Sequence, residues 1–132
     1  MKSRDTLIRL KRFQADEKRR RVAQIEAMVA EFSRMATELD REIASEEQKS
    51  GITDPTHFAY STYARAARTR RDNLQQSADE LRGQADEARR QLEEAVEELA
   101  KAQTLDGREK GERVIDAMRD RMDMIGLRPA RA

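Results

Sequence analysis

His57 is the only histidine in the 132-residue sequence, so it is the first side chain to consider as a general base or a metal ligand. A catalytic histidine needs an orienting partner and a metal needs several ligands, but the sequence has no cysteine and no second histidine to join it. Serines and carboxylates are numerous, yet there is no glycine-rich phosphate-binding loop. We therefore expect no catalytic residue, metal, cofactor or small-molecule substrate, and interpret His57 as a surface or capping residue.

The composition indicates which class of protein could position functional side chains. Charged residues make up 40% of the sequence and hydrophobic residues 37%, with five aromatic residues and no tryptophan. This is too polar for a globule with a central core and is typical of coiled coils or disordered chains. No apolar run is long enough to span a membrane, and the basic N-terminus lacks the apolar core of a signal peptide. We expect a cytoplasmic protein.

A heptad repeat runs through residues 74–102. Apolar residues and alanines recur at alternating steps of four and three, which predicts a long helix with one apolar face. Half of these core positions are alanine, so the helix needs a partner with bulkier side chains. The repeat comprises Leu74, Ala78, Leu81, Ala85, Ala88, Leu92, Ala95, Leu99 and Ala102.

A second repeat with larger side chains lies upstream, and it supplies the partner: Val22, Ile25, Val29, Phe32, Ala36, Leu39 and Ile43. The two repeats predict an all-α fold, a long antiparallel two-helix coiled-coil hairpin with a short amphipathic C-terminal helix. We expect the hairpin over 1–106, with helices at about 3–49 and 54–105 and a turn at about 50–53. In this register Val29 faces Leu74, and Arg71 faces Phe32, where it either fixes the register or lies over the ring.

The charge distribution favours the same topology. Residues 1–21 hold nine basic and three acidic side chains, a net +6, whereas residues 74–106 hold four and nine, a net −5. An antiparallel hairpin lays the basic block along the acidic one. A parallel homodimer would lay basic on basic, which opposes pairing. We therefore expect a monomer when the protein is free.

The turn has clear signals and an apolar tip. Gly51 can adopt positive φ after a helix, and Thr53 or Asp54 can cap a new helix that has Pro55 in its first turn. Tyr60 falls on a core position opposite Ile43. The remaining apolar residues of the turn are not needed by the hairpin, so we take them as candidate partner-binding residues: Ile52, Phe58 and Tyr63.

Near the start of the chain, Leu7, Leu10 and Phe13 form an apolar stripe beside the heptad repeat. Lys11 and Lys18 occupy core positions there. Two interpretations carry equal weight: a local stutter with lysine stems over the core, or a surface kept apolar for a partner. On the second interpretation the three apolar residues bind another protein.

Beyond residue 106 the pattern is interrupted by Gly107 and Gly111, and we expect a flexible tail over 107–132 with a short helix at about 112–125. One side of this helix is apolar and rich in methionine, which suits an irregular partner, although a frayed end is an equal alternative. Its candidate binding residues are Val114, Met118, Met122 and Ile125, with Ile115 beside them.

The basic run Lys18–Arg21 raises the question of nucleic-acid binding. A charge run on a helix is usually a solvated face, and this one is expected to lie opposite acidic residues. No interleaved aromatic residues, zinc motif or overall basic excess accompany it. We expect no nucleic-acid partner.

Three stretches of the sequence are similar to the FliJ family, small cytoplasmic chaperones of the flagellar type III protein export apparatus. They are LIRLKRFQADEKRRRVAQIE, GITDPTHFAYSTYARAA and DELRGQADEARRQLEEAVEEL, and the resemblance extends from Met1 to about Leu105. It implies an antiparallel coiled coil like the central stalk of rotary ATPases. It also implies three partners: the flagellar export ATPase ring, the export-gate membrane protein and the export chaperones. The chain would then lie peripherally at the cytoplasmic face of the membrane.

The alternative to this function is a structural coiled-coil adaptor with no role in export, in which helices pair between chains. Neither alternative involves catalysis, and the two differ in where binding takes place. In an export chaperone and stalk, the two ends of the hairpin bind partners, with Arg9, Lys11 and Arg12 steering one end toward acidic surfaces.

Overall fold

Two long helices account for most of the protein. The computed structural model describes residues 2–126, with side chains from residue 3, and contains α1 (Lys2–Ser50) and α2 (Thr62–Met124). The helices pack against each other, and the described residues include no strand. The predicted all-α helical hairpin is confirmed.

Contacts within the chain divide the described residues into two compact units. One is the continuous segment Glu17–Leu92, which holds the turn; the other combines residues 2–16 with residues 93–126. Each unit contains a stretch of α1 and a stretch of α2.

In the Glu17–Leu92 unit, large side chains of α1 pack on alanines of α2. Val22 and Ile25 form a buried cluster with Ala85 and Ala88. Small residues on one helix let the other approach closely, so the branched side chains fill the space that alanine leaves. Further buried positions continue the pattern along both helices: Ala36, Ile43, Ala64, Ala67 and Ala78.

The register of this packing differs by one heptad from the predicted one. Val29 and Leu81 pack against the same buried cluster, whereas the sequence predicted that Val29 faces Leu74. Likewise Arg71 forms an ion pair with Asp40 at 3.0 Å, so the predicted position opposite Phe32 is wrong. The apolar pattern repeats every seven residues, so it fits both registers equally well, and the turn decides between them.

The turn is longer than predicted, because α2 begins at Thr62 and not at residue 54. Asp54 caps a short non-helical turn, in which the Thr56 amide donates a 2.9 Å hydrogen bond to the Asp54 carboxylate. The cap of α2 is Ser61, whose hydroxyl oxygen accepts a 3.2 Å bond from the Ala64 amide. Gly51 has φ +74°, as the predicted helix end requires.

In the second unit the basic start of α1 lies along the acidic part of α2, as the charges predicted. Arg4 pairs with Glu109 at 2.6 Å and Lys11 with Glu98 at 2.7 Å. Contact between the helices therefore continues to Glu109 of α2, beyond the predicted end of the hairpin at residue 106. Ala102 is buried in this contact.

The predicted break at Gly107 and Gly111 is also wrong, because α2 continues through both glycines to Met124. Glycine inside a helix costs about 1 kcal/mol relative to alanine but does not end it. Ion pairs one turn apart support this stretch, with Lys110 on Asp106 at 3.0 Å and Arg113 on Glu109 at 3.3 Å. Residues 127–132 of the predicted tail lie outside the described residues.

Candidate partner-binding surfaces

The turn is held to both helices by a closed set of three side chains. The Tyr60 hydroxyl donates a 2.8 Å hydrogen bond to the Glu47 carboxylate and accepts a 3.0 Å bond from Arg68 Nε. Arg68 Nη2 completes the set with a 3.3 Å bond to the same Glu47 oxygen. Tyr60 is buried, as predicted, and the guanidinium groups of Arg65 and Arg68 lie 5.5 and 6.0 Å from its ring centre.

These bonds favour the ionised form of the Glu47 carboxyl group. The hydrogen bond from Tyr60, and after it the bond from Arg68, lowers the pKa of Glu47 below its ordinary value. In the same way the backbone and side-chain bonds from Thr56 lower the pKa of Asp54. The conformation of the turn is therefore set by its own hydrogen bonds, and a partner would meet a preformed surface.

The most exposed large apolar side chain of the turn is Phe58. It is 95% exposed, and the ring of His57 stacks on it at 4.8 Å between ring centres. His57 Nδ1 accepts a 3.0 Å bond from the Ala59 amide, so His57 shapes the turn and holds the Phe58 ring. An exposed aromatic ring at a tip that the hairpin does not need is a candidate contact for another protein.

The other two predicted binding residues of the turn, Tyr63 and Ile52, are less exposed than Phe58. Tyr63 is half exposed, and its hydroxyl donates a 2.9 Å bond to the Glu42 carboxylate, which raises the pKa of Tyr63. Tyr63 therefore also ties α2 to α1. Ile52 is partly buried. Phe58 is thus the residue whose exposure best matches a binding role at this site.

At the start of α1, the three apolar residues of the predicted stripe are exposed, by 43% for Leu7, 50% for Leu10 and 57% for Phe13. Lys11 and Lys18 are partly buried and reach out to Glu98 and Gln91 with their ammonium groups. Lysine stems therefore cover the core there, as one interpretation expected. The exposed stripe itself is compatible with the other interpretation.

The end of α2 carries the largest group of exposed apolar side chains within one helix segment. From Gly111 to Met124 the helix extends past the start of α1, and every residue of this segment is exposed. On one side of it, and continuing to the residue just after it, lie side chains 42–63% exposed, which we name the terminal stripe: Val114, Ile115, Met118, Met122 and Ile125. All four predicted binding residues of the tail belong to it.

The Leu7–Phe13 stripe and the terminal stripe lie at different positions along the helix axis. Arg4 lies beside Glu109, with which it forms an ion pair. Leu7 lies from this ion pair toward the C-terminal end of α1. Val114 lies on the opposite side of the ion pair along the helix axis. Along the helix axis Leu7 and Val114 are roughly 12 Å apart at 1.5 Å per residue. These are two separate surfaces.

The described residues show little that would support chemistry. Among them, no group of three or more histidine or acidic residues could hold a metal ion. An open surface groove lies beside Gly83, lined by Arg21, Glu80 and Glu87. Neither helix, over the described residues, contains a stretch apolar enough and long enough to cross a membrane.

No family model, curated protein or solved structure matches this chain. A function inferred from the resemblance to the FliJ family is therefore a proposal, and the exposed apolar surfaces are the structural observations that bear on it.

Sequence reasoning missed the residues that fix the turn, namely Glu47, Ser61 and Arg68. Glu47 and Arg68 are common residues on a polar helix face and Ser61 precedes α2, so nothing in a heptad pattern marks them. Ser61 was the one detectable signal, because a serine just before the Tyr63–Ala67 stretch is a good helix cap. Asp54 followed by Pro55 gave a competing and stronger signal.

Proposed function

We propose that this protein is a non-enzymatic chaperone and stalk component of the flagellar type III export apparatus. In this role it binds the export ATPase ring, the export gate and export chaperones, at the cytoplasmic face of the membrane. Two observations support the proposal: the resemblance of three sequence stretches to the FliJ family, and a helical hairpin with apolar surfaces in both of its units.

The observation that carries the proposal is the exposure of the terminal stripe. Its side chains are 42–63% exposed on a helix segment that extends past α1. A single helix of about fourteen residues is marginal in water, so a partner that covers its apolar side would also stabilise it. Methionine side chains at Met118 and Met122 suit such a partner, because they adapt to irregular surfaces. We assign this stripe to the export ATPase.

The exposed ring of Phe58 is the second contact of the proposed function. It lies in the turn, within the other unit, on backbone whose Thr56 and Ala59 amides donate hydrogen bonds to Asp54 and His57. A preformed apolar tip loses little conformational entropy on binding. We assign it to the export gate or an export chaperone.

The alternative function is a structural coiled-coil adaptor without a role in export. The core of the Glu17–Leu92 unit is formed within one chain, with Val22 and Ile25 on Ala85 and Ala88. An adaptor that pairs these helices between chains would have to replace this intrachain core with contacts from a second chain. This observation favours the export proposal over interchain pairing of the main helices.

The test uses purified export ATPase and two double variants with matched chemistry. Ile115→Ser with Met118→Ser removes two apolar side chains of the terminal stripe, and Met28→Ser with Met35→Ser removes two exposed apolar side chains of α1 as the control. We expect the first variant to lose binding to, and stimulation of, the ATPase, while the control keeps both. Equal behaviour of the two variants, or no binding by the unaltered chain, would contradict the proposal.

A further inference from the structure

The terminal stripe lies on the side of α2 that faces away from α1. Ala102 is buried against α1, and Met118 follows it by sixteen residues. At about 100° per residue, this places Met118 about 160° around the helix from Ala102. A helix that packs on the stripe would therefore meet no obstruction from α1.

The same side of α2 is open for a close approach further back along the helix. Gly107 and Gly111 precede the stripe, and a methyl group built on either one meets no atom within 4 Å apart from the adjacent backbone of its own helix. With no side chain at these two positions, a second helix can continue past the stripe without a clash. The open face is thus longer than the stripe.

Charged side chains beside the stripe specify what kind of helix fits it. Glu112 and Arg119 are both exposed and lie seven residues apart on the same flank. Two copies of α2 can run antiparallel so that Ile115 of each copy packs on Met118 of the other. In that pairing Glu112 of each copy faces Arg119 of the other, and two-fold symmetry makes the ion pair twice.

A parallel pairing of two copies lacks this complementarity. It would place Arg119 beside Val114 of the second copy, and no opposite charges would meet across the stripe. The charges beside the stripe are therefore complementary to those of a second copy only when the two helices run antiparallel.

We propose that the terminal stripe binds a second copy of this chain in this antiparallel arrangement. The inference goes beyond the proposed function: the pairing concerns the free chain, and because both partners would cover the same side chains, the second copy and the export ATPase compete for the stripe. The inference revises the expected monomer, because that expectation was drawn from the basic block at residues 1–21, and this block takes no part in the pairing. The paired stretch from Arg108 to Ile125 is about 27 Å long, so the dimer is weak and depends on concentration.

The experiment is sedimentation equilibrium of the full chain over a range of concentrations, with single charge reversals. Glu112→Arg sets arginine against arginine, and Arg119→Glu sets glutamate against glutamate. We expect each to raise the dimer dissociation constant roughly tenfold, because two like-charge contacts replace two ion pairs. Circular dichroism checks that both variants keep their helicity.

Mixing the two variants supplies the decisive measurement. In an equal mixture a Glu112→Arg chain can pair with an Arg119→Glu chain, and opposite charges then meet at both contacts. Dimers should therefore return to the level of the unaltered chain, and a chain that carries both reversals should pair with itself equally well. Asp120→Arg is the matched control, because it changes the charge equally on the opposite side of the helix. It should leave the dimer constant almost unchanged.

Three results would overturn the inference: a monomer at all concentrations, no recovery in the mixture, or an equal effect of Asp120→Arg. A chain that stays monomeric but binds the export ATPase through Ile115 and Met118 would refute self-pairing and leave the proposed function standing. A chain that pairs with itself but does not bind the ATPase would support self-pairing and contradict the proposed function.

Discussion

The Tyr60 hydroxyl donates a 2.8 Å hydrogen bond to the carboxylate of Glu47, near the end of α1. The backbone oxygen of Glu47 also accepts a 2.9 Å bond from the Gly51 amide. One residue of α1 thus holds both the first and the last part of the turn. Because the turn length selects the heptad register, this contact affects how α1 packs on α2 within the Glu17–Leu92 unit.

Replacing Tyr60 by phenylalanine should destabilise the hairpin by about 1–2 kcal/mol, since it removes a hydrogen bond to a charged group at a buried position. The ring and its packing remain. Chemical denaturation followed by circular dichroism measures the change. Tyr63→Phe, which loses a bond at a half-exposed position, is the control and should cost less.

The contribution of Glu47 to the stability of the folded chain should depend on pH. Its pKa is lowered in the folded state by Tyr60 and Arg68, so its stabilising effect is present above the unfolded pKa of about 4.3 and is lost as the pH falls through the folded value. Glu47→Gln should therefore melt at a lower temperature than the unaltered chain at pH 7. The two midpoints should converge as the pH falls below the folded pKa of Glu47, and a constant gap would contradict the assignment.

Truncation of Ile25 to alanine should destabilise the protein by about 3 kcal/mol, because Ile25 is 5% exposed in the cluster with Ala85 and Ala88. Met28→Ala, one turn later and 46% exposed, should cost well under about 1 kcal/mol. Urea midpoints of the two variants give the comparison. Similar costs would show that the core is placed incorrectly.

The register can be tested by crosslinking, because the chain has no native cysteine. Val29→Cys with Leu81→Cys should bridge within one chain, as both residues pack on the same cluster. Val29→Cys with Leu74→Cys should not, since that pair is displaced by one heptad, about 10 Å. Efficient bridging of the second pair alone would restore the predicted register.

Phe58→Ala should leave the thermal midpoint within about 1 °C of the parent value, because a ring that is 95% exposed contributes little to folding. On the proposed function it should weaken binding to the export gate or an export chaperone. Co-sedimentation with each purified partner measures this. Leu105→Ala, an exposed apolar residue of α2, is the control and should bind as the parent does.

The sequence was sufficient to predict that two helices pair within the chain, which residues face inward, and that charges oppose each other across the hairpin. Val22, Ile25, Ala85 and Ala88 are buried as the heptads required. The sequence could not determine the register of the two helices, for a physical reason. A shift of seven residues returns every core residue to a core position, so the pattern cannot separate neighbouring registers.

The turn had to decide the register, and its signals were ambiguous. Asp54 before Pro55 is a standard helix start, and the structure does use Asp54 as a cap. The capped segment ends after a short turn, however, because Ser61 provides the cap of α2 and Tyr60 bonds back to α1. Long-range contacts of this kind leave no local pattern in the sequence.

Gly107 and Gly111 lie inside an unbroken helix, and each costs about 1 kcal/mol relative to alanine. Together they weaken one stretch of backbone by about 2 kcal/mol, roughly a thirtyfold change in an opening equilibrium. Amide protons beyond Gly107 should therefore exchange with solvent well before those around Ala85, and the last turns of α2 should fray as a unit. Slow exchange in those turns would then report that another molecule covers them.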